Sequence, residues 1–380
     1  MPPALLTHLG DLPVERFMRR YWQRQPVLIR NAVPVNAPIF SFARLAGLAA
    51  REDVESRLVT AFGGKWRLQH GPFAQRQLPS RARSHWTLLV QGVDLHDDAG
   101  AELLARFRFL PAARLDDLMV SYASDGGGVG PHVDSYDVFL LQAHGRRRWR
   151  IGPAHDAALV PDLALKILAR FSPTQEWVLN PGDCLYLPPG IAHEGVAIGG
   201  DCVTASIGAR APAWQEFVDP WLTRLTGRLE LSGRYSDRGA PATRRPALLP
   251  AAYVDAALSS LGRIRPARSD AEHVLLAVLT EPPRQIVFDR PSRPLAPARF
   301  AALVRERGVR ADRRTRMLYS GQRAAINGEV LRWMADRKLL RALADRHFLT
   351  APSLSSASDD TMGLLHEWYL NGWLRIGGSP

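Results

Sequence analysis

Between Glu55 and Ala209 the apolar residues fall in short runs, SRLVTAF, WTLLVQGV, DLMVSYA, DVFLLQ, RRWRIG, EWVLN, DCLYLP and CVTASIG, separated by Gly, Pro and Asp clusters. Many short strands punctuated by turn residues predict a β-sandwich or barrel. Ahead of them, Pro13 to Gln23 reads as a helix running into an extended PVLIR, and Ile39 to Arg51 as a second helix. One helical piece, Leu163 to Arg170, is expected to interrupt the strands. After Pro212 the period changes. WQEFVDPWLTRLTGRLEL and YVDAALSSLGRI space their apolar residues as helices do, and the linker RGAPATRRPALLP joins them. From Asp270 onward helices flank MLYSGQRAAINGEVLRW, whose Asn327-Gly328 pair is a strong hairpin signal, and a WLRIG strand follows. The pattern predicts an α+β chain in three parts: a β-rich domain over 1–212, a helical region over 213–269, and a winged-helix-like domain over 270–380.

Composition narrows the class. At roughly 150 residues per domain, 380 residues accommodate two or three cores. With 46% hydrophobic and 23% charged residues, wholesale disorder is excluded. No apolar run approaches the ~18 residues of a membrane helix. The opening MPPALLTHLGDLPVERF lacks both a basic and a continuous apolar signal region, so a cytoplasmic protein with no membrane partner is expected. Cys184 and Cys202 form no CxxC pair and read as reduced core residues. The net charge of +12 is uneven. Residues 1–212 carry 23 basic and 20 acidic side chains, against 26 and 17 in residues 213–380. A basic tail raises nucleic acid or ribosomes as partners without choosing between them.

The chemistry concentrates in GGGVGPHVDSYDVFLLQAHGRRRWRIG and NPGDCLYLPPGIAHEGVAI. His132 and Asp134 are two apart at the head of a strand, so alternation turns both to one face. His193 follows a PPG turn 59 residues after Asp134. Two imidazoles and a carboxylate converging from barrel rims match the facial triad of non-haem Fe(II) oxygenases. A lone HxD is a common surface pair; the Gly-rich approach, the all-β setting and the second His give the metal reading its weight. His144 is expected at a solvated hairpin tip, and His8, His70, His85, His96 and His155 lack ligand-like spacing.

If His144-Gly145 turns DVFLLQA into RRRWRIG, then Arg147, Trp149 and Ile151 share the inward face, and Arg146, Arg148 and Arg150 the outward one. A buried guanidinium requires an anion, and its fork matches a carboxylate as Lys cannot. Arg147 therefore faces either the distal carboxylate of 2-oxoglutarate or an internal Asp or Glu. Parity likewise groups Cys202, Thr204, Ser206 and Gly208, which could contact a ligand or simply pack closely. Ser121 could reach the same co-substrate. Gly126, Gly127 and Gly128 are expected to supply positive φ beside the metal mouth; no Lys-Ser/Thr follows them, so they are not a phosphate loop.

These segments, with the upstream RYWQRQPVLIRNA and downstream LYLPPGIAHEGVA, resemble the bacterial JmjC-type, cupin-like ribosomal oxygenases over most of residues 10–212. The resemblance implies a double-stranded β-helix, a helical dimerisation region and a winged-helix-like C-terminal domain. It further implies Fe(II)-, 2-oxoglutarate- and O2-dependent hydroxylation of the β-carbon of an arginine in a large-subunit ribosomal protein. By position, His132, Asp134 and His193 would hold iron, and Arg147 and Ser121 would hold 2-oxoglutarate, with Thr204 and Ser206 nearby. The VAIGGDC loop is one residue longer than the family pattern, and the tail matches only in layout. A homodimer is implied. Other readings are a JmjC hydroxylase of a different protein, or a cupin-type sensor carrying a DNA-binding winged helix. The tail's basic residues are scattered among acidic ones, so direct nucleic-acid binding is not expected. A basic substrate instead calls for an acidic mouth, to which Asp125 and Asp137 are expected to contribute.

Overall fold

The computed structural model describes residues 5–34, 39–63, 65–154, 158–230, 232–265, 267–283, 286–333 and 335–377. A short ribbon, β1 (His8–Leu9) with β2 (Leu12–Pro13), leads into helix α1 (Val14–Arg20), strand β3 (Val27–Ile29) and helix α2 (Phe42–Ala49). Ser41 caps α2 by accepting the Arg44 N–H. Next come β4 (Ser56–Phe62), β5 (Lys65–His70), β6 (Trp86–Val90), α3 (Val93–His96), α4 (Asp98–Arg106), β7 (Leu115–Ala123) and β8 (His132–Val133). β9 (Asp137–Pro153), β10 (Gln175–Leu179), β11 (Cys184–Leu187) and β12 (Ile191–Ala209) complete the β-rich half.

These strands form one antiparallel sheet in the order β3-β11-β9-β12-β7-β6-β4-β5, with β10 added on β9 and β8 on β12. Its frame is β9 and β12, 17 and 19 residues long, paired along nearly their whole length. Strands of that length must bend. They do so together, at Gly145 (φ +67°) on β9 and at a register shift around Gly199 and Asp201 on β12. A Cβ at Gly145 would stand 2.8 Å from the Asp201 carbonyl, so the corner needs glycine.

One face of the folded sheet carries Leu118, Val120, Tyr122, Phe139, Leu141, Val203, Ala205 and Ile207, packed with Phe17 of α1 and Leu45 of α2. The other holds Val138, Leu140, Trp149, Ile151, Leu185 and Leu187. These are the two residue sets that strand alternation separates.

Three expectations are corrected. His144-Gly145 is not a hairpin turn: β9 bends there but continues unbroken, because its partners come from β10, β11 and β12 rather than from itself. Residues 163–170 are not helical; Leu168 bridges Leu159 and the buried Ile167 packs on Gly130, so tertiary contacts hold a segment too short to sustain a helix. The β region also contains α3 and α4, the latter capped by Asp97.

Beyond the barrel lie α5 (Trp214–Thr226), α6 (Ala251–Leu261) and α7 (Arg268–Thr280), then α8 (Pro297–Arg307), β13 (Val309–Ala311), β14 (Met317–Ser320), β15 (Arg323–Ile326), β16 (Glu329–Arg332) and α9 (Arg337–Arg346). β17 (Phe348–Leu349), α10 (Ala351–Leu354), α11 (Asp359–Leu370) and β18 (Leu374–Ile376) end the chain's regular structure. Asn327 and Gly328 take φ +49° and +88° and join β15 to β16 as a two-residue turn. Phe300, Val304, Leu340, Leu343, Trp368 and Leu374 form a core separate from the barrel's.

Candidate active site

β8 adds to β12 with His132 opposite His193, and on the other side of β12 His193 faces Ile151 of β9. Asp134 follows β8 directly. The structure brings all three predicted ligands together: His193 Nε2 lies 3.5 Å from Asp134 Oδ2, and His132 Nε2 3.9 Å from Asp134 Oδ1. One donor atom from each falls within 4.8 Å of the others.

Both imidazoles use one device. His132 Nδ1 is 3.0 Å from the Gly130 carbonyl and His193 Nδ1 is 2.9 Å from the Ile191 carbonyl. A carbonyl oxygen only accepts, so each Nδ1 carries a proton and each Nε2 is the nitrogen left facing the centre. Burial, with His132 alongside, pushes the His193 pKa down to about 3, so this ring is neutral and ready to ligate. Burial raises the Asp134 carboxyl above its ordinary range, while His132 and Arg57 pull it back. Two imidazole nitrogens and one desolvated carboxylate suit a divalent iron.

Alternation along β9 survives the loss of the turn. Arg147, Trp149 and Ile151 are buried, Arg146 is exposed, and Arg148 and Arg150 are half-buried. Arg147 is only 4% exposed, yet its Nε and Nη2 have no hydrogen-bond partner. Among the described residues no carboxylate pairs with it, so the co-substrate reading of this residue fits better than the salt-bridge one. Trp149 lies beneath its guanidinium, 5.7 Å to the ring centroid, and packs on His193 at 5.9 Å. Gly195 makes room: a Cβ there would be 2.7 Å from the Trp149 ring.

Ser121, Thr204 and Ser206 are buried, with Thr204 paired to Ser121 on β7 and to Gln142 on β9. The Thr204 hydroxyl donates to Gln142 Oε1 (3.1 Å) and Ser121 Oγ lies 3.4 Å from the Thr204 carbonyl, so internal bonds already engage both.

The glycines divide their labour differently than expected. Gly126 has positive φ (+68°), but Gly127 and Gly128 do not; they allow close approach, since Cβ atoms would stand 2.3 Å from the Trp86 carbonyl and 2.6 Å from the Gly195 carbonyl.

Asp137 is not a mouth residue. It is fully buried, accepting from Tyr186 Oη (2.5 Å), Arg114 Nη2 (2.9 Å) and Gln23 Nε2 (3.0 Å), which ties the turn after α1 to the sheet. A carboxylate with three donors is structural. Asp125 is exposed, accepts the Gly199 N–H at 2.7 Å, and lines a pocket of about 530 Å3 with Trp66, His85, Arg148 and Glu194. Arg148 and Glu194 of the outward face line it together with Gly130, whose carbonyl contacts His132. His144 is exposed, as expected, within a strand rather than a turn; His155 lies outside the described residues.

An acidic group on β7 was missed from sequence. Asp117 and Met119 share the inward parity of Ser121, and Tyr136, two residues after Asp134, feels the charges of Asp134, Asp117 and Asp116. The 117-119-121 alternation in DLMVSYA was a usable signal; which strand end reaches the metal was not.

Comparison with known proteins places this geometry. A JmjC domain model matches residues 102–217 and a ROXA-like winged-helix model matches 263–375. The ribosomal protein uL16 3-hydroxylase of Escherichia coli (strain K12) is 40% identical over 233 residues, 61% of each chain. A probable ribosomal oxygenase of Haemophilus influenzae is 38% identical over 209 residues, 54% of this chain and 51% of its own. The alignments thus span less than two thirds of these relatives' lengths. The solved structure of YcfD, a ribosomal oxygenase from E. coli in complex with cobalt and 2-oxoglutarate, superposes with a TM-score of 0.84 and 30% identity over 98% of this chain and 100% of that one.

Proposed function

This chain belongs to the JmjC-domain ribosomal oxygenases, and we propose that it is an Fe(II)- and 2-oxoglutarate-dependent hydroxylase of an arginine β-carbon in a large-subunit ribosomal protein. The observation that carries the reading is the pairing of a His-Asp-His cluster with an inward, buried and unpartnered arginine.

In this reading His132, Asp134 and His193 present Nε2, a carboxylate oxygen and Nε2 to iron. Arg147 clamps the distal carboxylate of 2-oxoglutarate, and Ser121, Thr204 and Ser206 form the wall beside it. Iron with 2-oxoglutarate and O2 supplies the oxidising power for C–H hydroxylation. The chain itself orients and shields. The Gly130 and Ile191 carbonyls hold the imidazole protons away from the centre, Trp149 keeps water from one side of His193, and the apolar cluster with Leu140 and Leu185 keeps the interior dry. The substrate guanidinium is received by Asp117, with Tyr136 at the mouth and Asp125 farther out.

We further propose a cytoplasmic homodimer. Neither α5 nor α6 has a buried residue, and Trp214, Leu258 and Leu261 are 83%, 61% and 58% exposed. An apolar helical surface of that kind suits a second copy. The C-terminal arginines nearest the barrel are engaged internally, Arg313 with Asp98, Arg314 and Arg375 with Asp312, and Arg316 with Asp116, which argues against a nucleic-acid face.

The test is incubation with Fe(II), 2-oxoglutarate and ribosomal proteins, followed by mass spectrometry. A gain of one oxygen (~16 Da) on a large-subunit protein, mapped to an arginine, is expected. No shift on any of them would remove the ribosomal assignment. His132→Ala and Asp134→Ala are expected to abolish turnover; 2-oxoglutarate consumption at the wild-type rate in either would remove the triad.

A further inference from the structure

Three carboxylates crowd the barrel wall that faces the winged-helix region: Asp94 on α3 and Asp116 and Asp117 on β7. Each holds the wall to a different element. Asp94 accepts the Leu118 N–H at 2.9 Å. Asp117, on the inward face, accepts from Gln91 Nε2 at 2.5 Å and from the Gly92 N–H at 3.3 Å. Asp116 points outward and accepts from Arg316 Nη2 at 3.1 Å. Arg316 immediately precedes β14. Two further contacts cross the same seam, Arg313 to Asp98, and Arg108 Nη2 to the Ala344 carbonyl at 3.4 Å.

The pair is half exposed, 27% for Arg316 and 40% for Asp116, so its contribution to stability is small. The pair also acts on neighbouring charge. Burial and then Asp116 push the Asp117 pKa up to about 6, while Gln91, the Gly92 N–H and Arg316 pull it down. The charged and titratable groups around Asp117 are Asp94, Asp116, Tyr136, Arg316 and, through Gln91, Arg57. Arg316 acts on both Asp94 and Asp117.

We propose that Arg316 is a positioning residue for substrate capture: by pairing with Asp116 it braces the winged-helix region on β7 and neutralises the charge beside Asp117. Asp117 then remains the ionised carboxylate that meets a cationic side chain. The winged helix thereby serves the catalytic domain electrostatically rather than reading nucleic acid. This inference rests on the arginine-hydroxylase reading above.

The test compares the full-length protein with Arg316→Gln and Arg316→Lys. Two quantities are measured: steady-state kinetics on an arginine-bearing ribosomal-protein peptide from pH 5.5 to 8.5, and the titration of Asp117 in 13C-Asp-labelled protein. In Arg316→Gln the peptide KM is expected to rise about fivefold to tenfold near pH 6.5, with kcat and the 2-oxoglutarate KM unmoved. The acid limb and the Asp117 midpoint should both shift to higher pH, and Arg316→Lys should restore most of both. An unchanged peptide KM, or equal losses in Gln and Lys variants, overturns the proposal. If wild-type protein leaves the peptide unmodified, the arginine-hydroxylase reading fails instead; an Asp117 midpoint identical in wild type and Arg316→Gln then overturns this proposal independently.

Discussion

At the scale of single residues, burial decides what each charged group can do. Arg147 and Asp137 are both enclosed by the fold, but Asp137 has three donors and Arg147 leaves two nitrogens unanswered. The first is therefore a strut and the second a receptor. Replacing Arg147 with Lys keeps the charge but loses the fork, and a charge-assisted bond of roughly 2 kcal/mol is forfeited. The 2-oxoglutarate KM should rise about 30-fold; a change below threefold would refute the clamp. Asp94 offers a pH test. Burial raises its pKa to about 7, whereas the unfolded chain titrates near 3.9. Below the unfolded value both states are protonated and nothing is lost. As pH rises, the unfolded chain releases its proton first, so stability falls until the folded pKa is passed. Asp94→Asn keeps a carbonyl to accept the Leu118 N–H and removes the titration. Its unfolding free energy should exceed wild type by up to a few kcal/mol at pH 8, and the excess should shrink towards pH 4. An advantage that did not vary in urea titrations at the two pH values would contradict this account.

At the scale of elements, β9 and β12 carry the site because they are long and mutually paired. A single register brings His193 beside Ile151, Gly195 beside Trp149 and Ala197 beside Arg147. The RRRWRIG alternation already told Arg147 from its neighbours, and a mistaken hairpin did no harm, since parity depends on the strand and not on how the chain enters it. Partners were not legible: nothing in DVFLLQAHGRRRWRIG states that it pairs with β12 throughout. Gly195 is the joint of this register. Gly195→Ala would drive a methyl into the Trp149 ring and, through it, disturb His193. Metal affinity should fall about tenfold or more with the fold intact; cobalt titration together with circular dichroism checks both, and wild-type affinity would show that the ring has somewhere else to go.

At the scale of the whole molecule, the helices after the barrel are the part whose surface lacks a cover. Leu258→Glu with Leu261→Glu should convert a dimer to a monomer, read by light scattering on eluted protein, without loss of the barrel's fold. A wild-type protein that elutes as a monomer at micromolar concentration would refute the dimer. The charge excess also finds its place at this scale. Several tail arginines sit on carboxylates, two of them across the seam to the barrel, so barrel acids meet part of the tail's local excess while the chain's net +12 rests on the cations outside such pairs.

What sequence alone determined is everything that short range controls: strand parity, the Asn327-Gly328 turn, the α2 helix, and the His-x-Asp spacing that turns two ligands to one side. These follow from backbone geometry repeating every two or few residues. Only the tertiary structure decided which inward groups are answered. It gave Asp137 its three donors, left two nitrogens of Arg147 without an acceptor, let the charge of Asp117 rather than of Asp125 or Asp137 act on Tyr136, and carried Arg316 two hundred positions along the chain to Asp116. Partners brought together by long loops and strand crossovers leave no local periodic mark, because the forces that select them, burial and charge pairing, act between residues that only the finished fold makes neighbours.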